Sequence, residues 1–235
     1  MTTLFACTVQ DPLSTPAPKS SLSPTLHPSR SSSASTRPEL EYGDAEAASS
    51  GSAPSLSMVP ERLLDSGLLE VGNADAPLVL LGLTHHSCAY CREFFQTVFP
   101  RLLSEEIATG KLRYQIALLP IRKYPESDMQ ARGLFCAAKQ GKGLLMHQML
   151  FERGATDEAT LLLRARELHL EKKEFRACLE ANATQLVMAG EASLPASLGV
   201  TVVPTFFLNG EKSIGLPTYA DMRGRIGEAL AKGNH

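Results

Sequence analysis

Two cysteines three apart, Cys88 and Cys91 in LTHHSCAYCREFF, follow directly on His85 and His86. Three chemistries suit that grouping. Two thiols at this spacing can close to a disulfide and reopen, with a thiolate as the attacking species. Two thiolates and two imidazoles are also an acceptable ligand set for zinc or copper. Or the thiols are small hydrophobes packed in a core. The metal reading has a geometric difficulty. Neighbouring residues on a strand point to opposite faces, so His85 and His86 do not readily converge. The two histidines can instead stabilise a thiolate by their charge. The bland alternative puts one in the strand–helix packing and the other in solvent.

The elements around the pair decide what it can do. Leu78 to Leu83, LVLLGL, is a continuous apolar run of strand length, as expected for a strand covered on both faces. The CxxC then opens a helix in which Phe94, Phe95, Val98, Leu102 and Leu103 recur at helical spacing. Pro100 falls inside the helix and should kink it, and Gly110 closes it. Lys111 to Ile121 is the next strand, ended by Pro120. Strand, helix and strand in that order imply a parallel crossover. Gly67 to Gly72 reads as a short edge strand ahead of them, with Pro77 as a breaker. At a helix start, unpaired N–H groups and the dipole favour an anion, which makes Cys88 the nucleophile. Cys91, one turn on and more buried, is the resolving thiol. Tyr90 can offer its hydroxyl or ring edge to the Cys88 sulfur, and Glu93 reads as a solvated charge.

Residues 127 to 198 are helical throughout, with Asp157 and Glu171 at helix starts. Met146, His147 and Met149 lie on one core-facing helix rather than in a copper site, and His169 is a surface or capping residue. The segment KQGKG lacks phosphate-loop spacing. VTVVPTFFLNG is a strand ending in the hairpin turn Asn209–Gly210, followed by the partner EKSIGL and a closing amphipathic helix. The class is α/β.

With these elements in order, the chain from about residue 67 to 233 resembles the DsbA-like branch of the thioredoxin fold. The matching features are CAYC at a strand-to-helix junction, the helix proline Pro100, the strand opening VVPT, and a helical insertion between a βαβ half and a ββα half. The resemblance implies a thioredoxin-like domain over 58–125 and 199–235, with an inserted helical domain over 126–198. It implies a cis peptide bond at Pro204 facing the dithiol, with Val203 backbone groups accepting a substrate strand. His86, Ala89, Tyr90, Val203 and Pro204 become the neighbours of Cys88 and Cys91. Ala89 departs from the proline common at that position. Gly82, six residues before Cys88, departs from the buried carboxylate often found there, which would help move the proton on Cys91. The resemblance also implies a structural disulfide between Cys136 and Cys178, two buried thiols being the alternative.

The implied activity is thiol–disulfide exchange with cysteine-containing proteins, with no cofactor beyond the dithiol. A monomeric oxidant served by a membrane redox partner is favoured. Reduction or isomerisation uses the same residues, and metal binding through His85, His86, Cys88 and Cys91 is the reading from another class.

Bulk properties agree with a globular protein. The 235 residues carry a net charge of −2, which gives no electrostatic reason to expect nucleic acid or an anionic membrane surface. No apolar run reaches the ~20 residues of a membrane span. Residues 8–57 are dominated by Ser and Pro and read as a disordered linker. Ahead of them LFACT resembles a bacterial lipobox, in which Cys7 is the lipidated residue, although only six residues precede it. A frayed N-terminus is the alternative. Lipidation and the disulfide would both place the protein outside the cytoplasm, in a periplasm or cell envelope.

Overall fold

The computed structural model describes residues 7–8, 55–119 and 124–233. The expected linker lies almost wholly outside them. The strands are β1 (Cys7–Thr8), β2 (Glu61–Leu63), β3 (Leu69–Val71), β4 (Leu78–Thr84), β5 (Leu112–Leu118), β6 (Val202–Val203), β7 (Thr205–Leu208) and β8 (Glu211–Ile214).

An apolar run with no polar face has to be covered on both sides. That requirement puts β4 inside a six-stranded sheet of order β2-β3-β5-β4-β7-β8. It pairs parallel with β5 and antiparallel with β7. Leu80 and Leu83 are fully buried. The expected edge strand is not at an edge: β3 lies between β2 and β5. The missing outer strand, β2, is only three residues long and half-buried, too short for its pattern to show. Asn209 and Gly210 take φ of 46° and 88° in the β7–β8 turn. Asn209 Oδ1 also accepts from the Val79 N–H at 2.8 Å, tying that turn to β4.

The CxxC helix runs over 89–107 and alternates α and π turns. A proline inside a helix lacks the N–H and crowds the preceding turn. Here the turn before Pro100 is widened, with the Phe99 N–H donating to Phe94 O. The expected disruption is therefore taken up as a π bulge. Gly110, at φ 76°, ends the helix, and the Lys111 N–H closes back on Glu106 O at 3.0 Å.

Five helices make up the insertion: Ser127–Ala138, Gly143–Arg153, Glu158–Glu167, Lys172–Glu180 and Asn182–Ser197. Asp157 caps the third through a capping box with Thr160. The insertion shares one hydrophobic core with the sheet. At the sheet's edge, the Glu61 carboxylate accepts from the N–H groups of Gly143 and Leu144 at 2.6 and 2.9 Å. An acid at a helix N-terminus satisfies orphan donors and opposes the dipole.

Cys136 and Cys178 are bridged, joining the first and fourth inserted helices across 42 residues of sequence. Closing such a loop stabilises a fold by about 4 kcal/mol in the chain-entropy account, and commonly by about 2–4 kcal/mol in practice. A Cys136→Ala/Cys178→Ala protein is expected to lose stability in that range, read as a fall in the urea midpoint with a steeper slope, since the unfolded chain without the cross-link exposes more surface. An unshifted midpoint would show that the bridge adds nothing.

Candidate active site

The β4 strand ends at Thr84, and a turn over His85–Ser87 delivers Cys88 to the start of the helix. Cys88 is the N-cap, with extended backbone angles of −87° and 121°, and its carbonyl accepts the first helical bond from the Arg92 N–H at 3.0 Å. Its sulfur therefore sits beside the first-turn N–H groups, where an anion is favoured. Across from it the Cys88 S–H donates to the Val203 carbonyl at 3.7 Å. The Val203–Pro204 bond is cis. Cys88 and Cys91 are not bridged to each other. The expected difference in exposure between them is absent, at 2% and 1%. Ala89 and Glu93 are exposed, and Tyr90 is half-buried against the core.

Val203 has a strand partner within its own chain. β1 pairs antiparallel with β6, setting Cys7 opposite Val203 and Thr8 opposite Val202. These two residues are paired rather than frayed. An edge with unsatisfied N–H and C=O groups accepts an extended segment, and here the chain's own N-terminal residues take that place.

The two histidines are both buried, so neither faces solvent. The Ser87 N–H donates to His85 Nδ1 at 3.0 Å, which leaves Nε2 as the protonated nitrogen, 2.8 Å from Ser127 Oγ. Ser127 in turn donates to the Tyr124 carbonyl. The Tyr124 ring lies 5.2 Å from that of His85. Ser87 Oγ donates to Glu126 at 3.1 Å. His86 points the other way, to His147 Nδ1 at 2.9 Å, among Phe95 and Phe151. Burial pushes His85 down to about 4, against the opposing pull of Glu126. Burial likewise holds His147 at about 3, and it puts His86 well below the ordinary value, with His147 and His85 adding to the effect.

All three rings are therefore neutral near pH 7. The expected electrostatic support for a thiolate from His85 or His86 is corrected: desolvation has removed the charge. The metal alternative loses its ligand set as well, because both rings are engaged elsewhere. Among the described residues no three His, Cys, Asp or Glu side chains gather as ligands.

Sequence reasoning did not find Tyr124, Glu126, Ser127 or His147 as supports of the CxxC turn. They lie 36 or more residues downstream of Cys88, on elements whose placement depends on the fold. The other residue missed is Tyr114 of β5. Gly82 was read as a missing carboxylate, yet its space is filled. A Cβ on Gly82 would lie 2.8 and 2.9 Å from Tyr114 Cε2 and Cζ, and closer still to the hydroxyl oxygen.

A thiol pair at a helix start, opposite a cis-proline loop on a mixed sheet with a helical insertion, defines a fold of the DsbA-like thiol–disulfide oxidoreductases. A family model described as thioredoxin (Thioredoxin_4) matches residues 66–228, and the chain belongs to that family. Among solved structures, alpha-DsbA1 of Wolbachia pipientis aligns with a TM-score of 0.61 at 22% identity, covering 69% of this chain and 92% of that one. Oxidised BdbD of Bacillus subtilis gives 0.64 at 17%, covering 72% and 96%. The catalytic domain of Proteus mirabilis ScsC gives 0.60 at 20%, covering 71% and 91%. A search of curated proteins by sequence finds no match.

The buried histidines carry a pH signature. Unfolded histidines take up protons near pH 6.5, whereas the folded ones resist until about 4 or 3. The unfolded chain thus binds more protons in that window, and stability falls as pH drops from 6.5 toward 4. Each such histidine contributes a slope approaching about 1.4 kcal/mol per pH unit near pH 5. Urea unfolding at pH 7, 6 and 5 should show the decline, and His147→Leu should make it shallower. A slope that the substitution leaves unchanged would remove the histidines as its source.

Proposed function

We propose that the protein introduces disulfides into cysteine-containing proteins outside the cytoplasm, with Cys88 as the exchanging sulfur and Cys91 as its resolving partner. The observation that carries this reading is the Cys88 sulfur at a helix N-cap, 3.7 Å from the Val203 carbonyl on a pairing edge. In the oxidised form a substrate thiolate attacks the Cys88 sulfur. One S–S bond forms, the Cys88–Cys91 bond breaks, and Cys91 leaves as the thiolate. A second substrate thiolate then attacks the substrate sulfur of the mixed disulfide and releases Cys88. The substrate loses two electrons and the dithiol gains them.

Substrate peptide is expected to add to the Val203 edge as a strand. That the chain's own Cys7–Thr8 already pairs there supports the edge as competent. Placement outside the cytoplasm is supported by the Cys136–Cys178 bridge, a bond that persists in oxidising compartments. Among the described residues no helix is long and apolar enough to cross a membrane. Reoxidation of the dithiol falls to a membrane-bound partner. A lipid on Cys7 would supply a tether, and it competes with strand pairing for the same residue.

Oxidation of a reduced two-cysteine peptide is the direct test. Cys88→Ser should abolish it, and Cys91→Ser, given the peptide in its disulfide form, should accumulate mixed disulfides in which the peptide's second cysteine leaves as a thiol, visible by mass. A reduction potential near about −120 mV fits donation of disulfides, and one near about −270 mV would reverse the assigned direction. Stoichiometric zinc or copper with no thiol exchange would sink the reading altogether.

A further inference from the structure

The edge beside Cys88 is already taken. β1 pairs antiparallel with β6, Cys7 opposite Val203 and Thr8 opposite Val202, in a two-stranded sheet of its own. The same Val203 carries the carbonyl that accepts from the Cys88 S–H at 3.7 Å. The paired strand and the sulfur therefore meet on one residue. With β1 in place Cys88 is 2% exposed. A sulfur that exchanges with another protein has to be reached by a second sulfur from outside. Something seated beside it therefore has to leave.

The two sides of this small sheet are held very differently. Val203 is fully buried, and Pro204 leads straight into β7, which is paired on one flank by β4 and on the other by β8. β1 has two residues in register, and among the described residues it pairs with β6 alone. Two-stranded pairing of that length is marginal in water. Connection favours it. Residues 9–54 join β1 to the rest of the chain, so the pairing is intramolecular, at a local concentration that a dilute free segment does not reach. A marginal contact made intramolecular is closed at rest and easily opened.

We infer that β1 is an internal occupant of the Val202–Val203 edge, a strap that lifts before an extended substrate segment pairs beside Cys88. The substrate replaces it strand for strand, because one row of N–H and C=O groups accepts one segment at a time. β1 is thus a competitor carried by the chain itself. It raises the substrate concentration needed for half-maximal exchange and leaves the rate at saturation alone.

This inference rests on the exchange reading for its purpose, but its test reads the accessibility of Cys88. In a Cys7→Ser/Cys91→Ser protein, Cys88 is the one cysteine outside the Cys136–Cys178 bridge. Its alkylation by iodoacetamide, followed by mass, reports how often the edge is open. Opposed pairs in an antiparallel ladder alternate between bonded and non-bonded, so proline is placed at each strand position in turn. One variant adds Thr8→Pro, and the other carries Cys7→Pro instead of Cys7→Ser. The position that bears the ladder bonds should give a gain in alkylation rate of about 5- to 30-fold, as for one or two lost hydrogen bonds. A synthetic peptide of residues 4–10, carrying Cys7→Ser, should slow alkylation of that opened variant in a saturable way. With Cys88 and Cys91 both present, the same proline should lower the KM for a two-cysteine peptide by a similar factor.

Alkylation rates unmoved by either proline, or a peptide that gives no protection, overturn the inference. Absence of peptide oxidation in the unaltered protein overturns the proposed function instead, and leaves the alkylation of Cys88 to decide the role of β1.

Discussion

The constraint that shapes the proposed site is that a dithiol exchanging disulfides has to carry negative charge while almost wholly buried. Water is not there to support the charge, so the fold has to supply fixed dipoles. It does so by ending a largely buried strand at a helix start. The apolar run of β4 drives that strand to the sheet centre. Its exit turn can then deliver Cys88 to a helix N-terminus under the protein surface. Val203, whose carbonyl accepts from the Cys88 S–H, closes the site from the opposite direction. The order of elements thus sets the sulfur between the donors of a helix start and the acceptor of the cis-proline loop.

The polar residues most visible beside the cysteines do a different task. His85 and His86 hold no charge, yet they hold the turn. One ties it to the first inserted helix through Ser127, the other to the second through His147. Two rings directed to opposite sides of the turn fix its orientation in a way a single contact would not. The inserted helices thereby become part of the site's scaffold rather than an appendage. The Glu61 carboxylate, holding the start of the helix Gly143–Arg153 from β2, anchors the same helix that carries His147. Removal of solvent around the histidines makes the arrangement rigid at the expense of their charge.

Features set by local chemistry were legible in the sequence. The strand LVLLGL, the helix closed by Gly110, the Asn209–Gly210 turn and the Asp157 cap all depend on a few adjacent residues. The CxxC at a strand-to-helix junction was legible for the same reason, whereas the strand read over VTVVPTFFLNG is broken at Pro204, with Val202–Val203 paired to β1 and Thr205–Leu208 to β4 and β8. What escaped was set by pairing across the chain. β2 is too short to show a period, so β3 was read as an edge. His147 looked like a core residue because its partner is 61 positions away. The charge state of His85 and His86 could not be read because burial decides it. Gly82 is the instructive case. A glycine was read as an absence, whereas the space it leaves is filled by a side chain from the neighbouring strand.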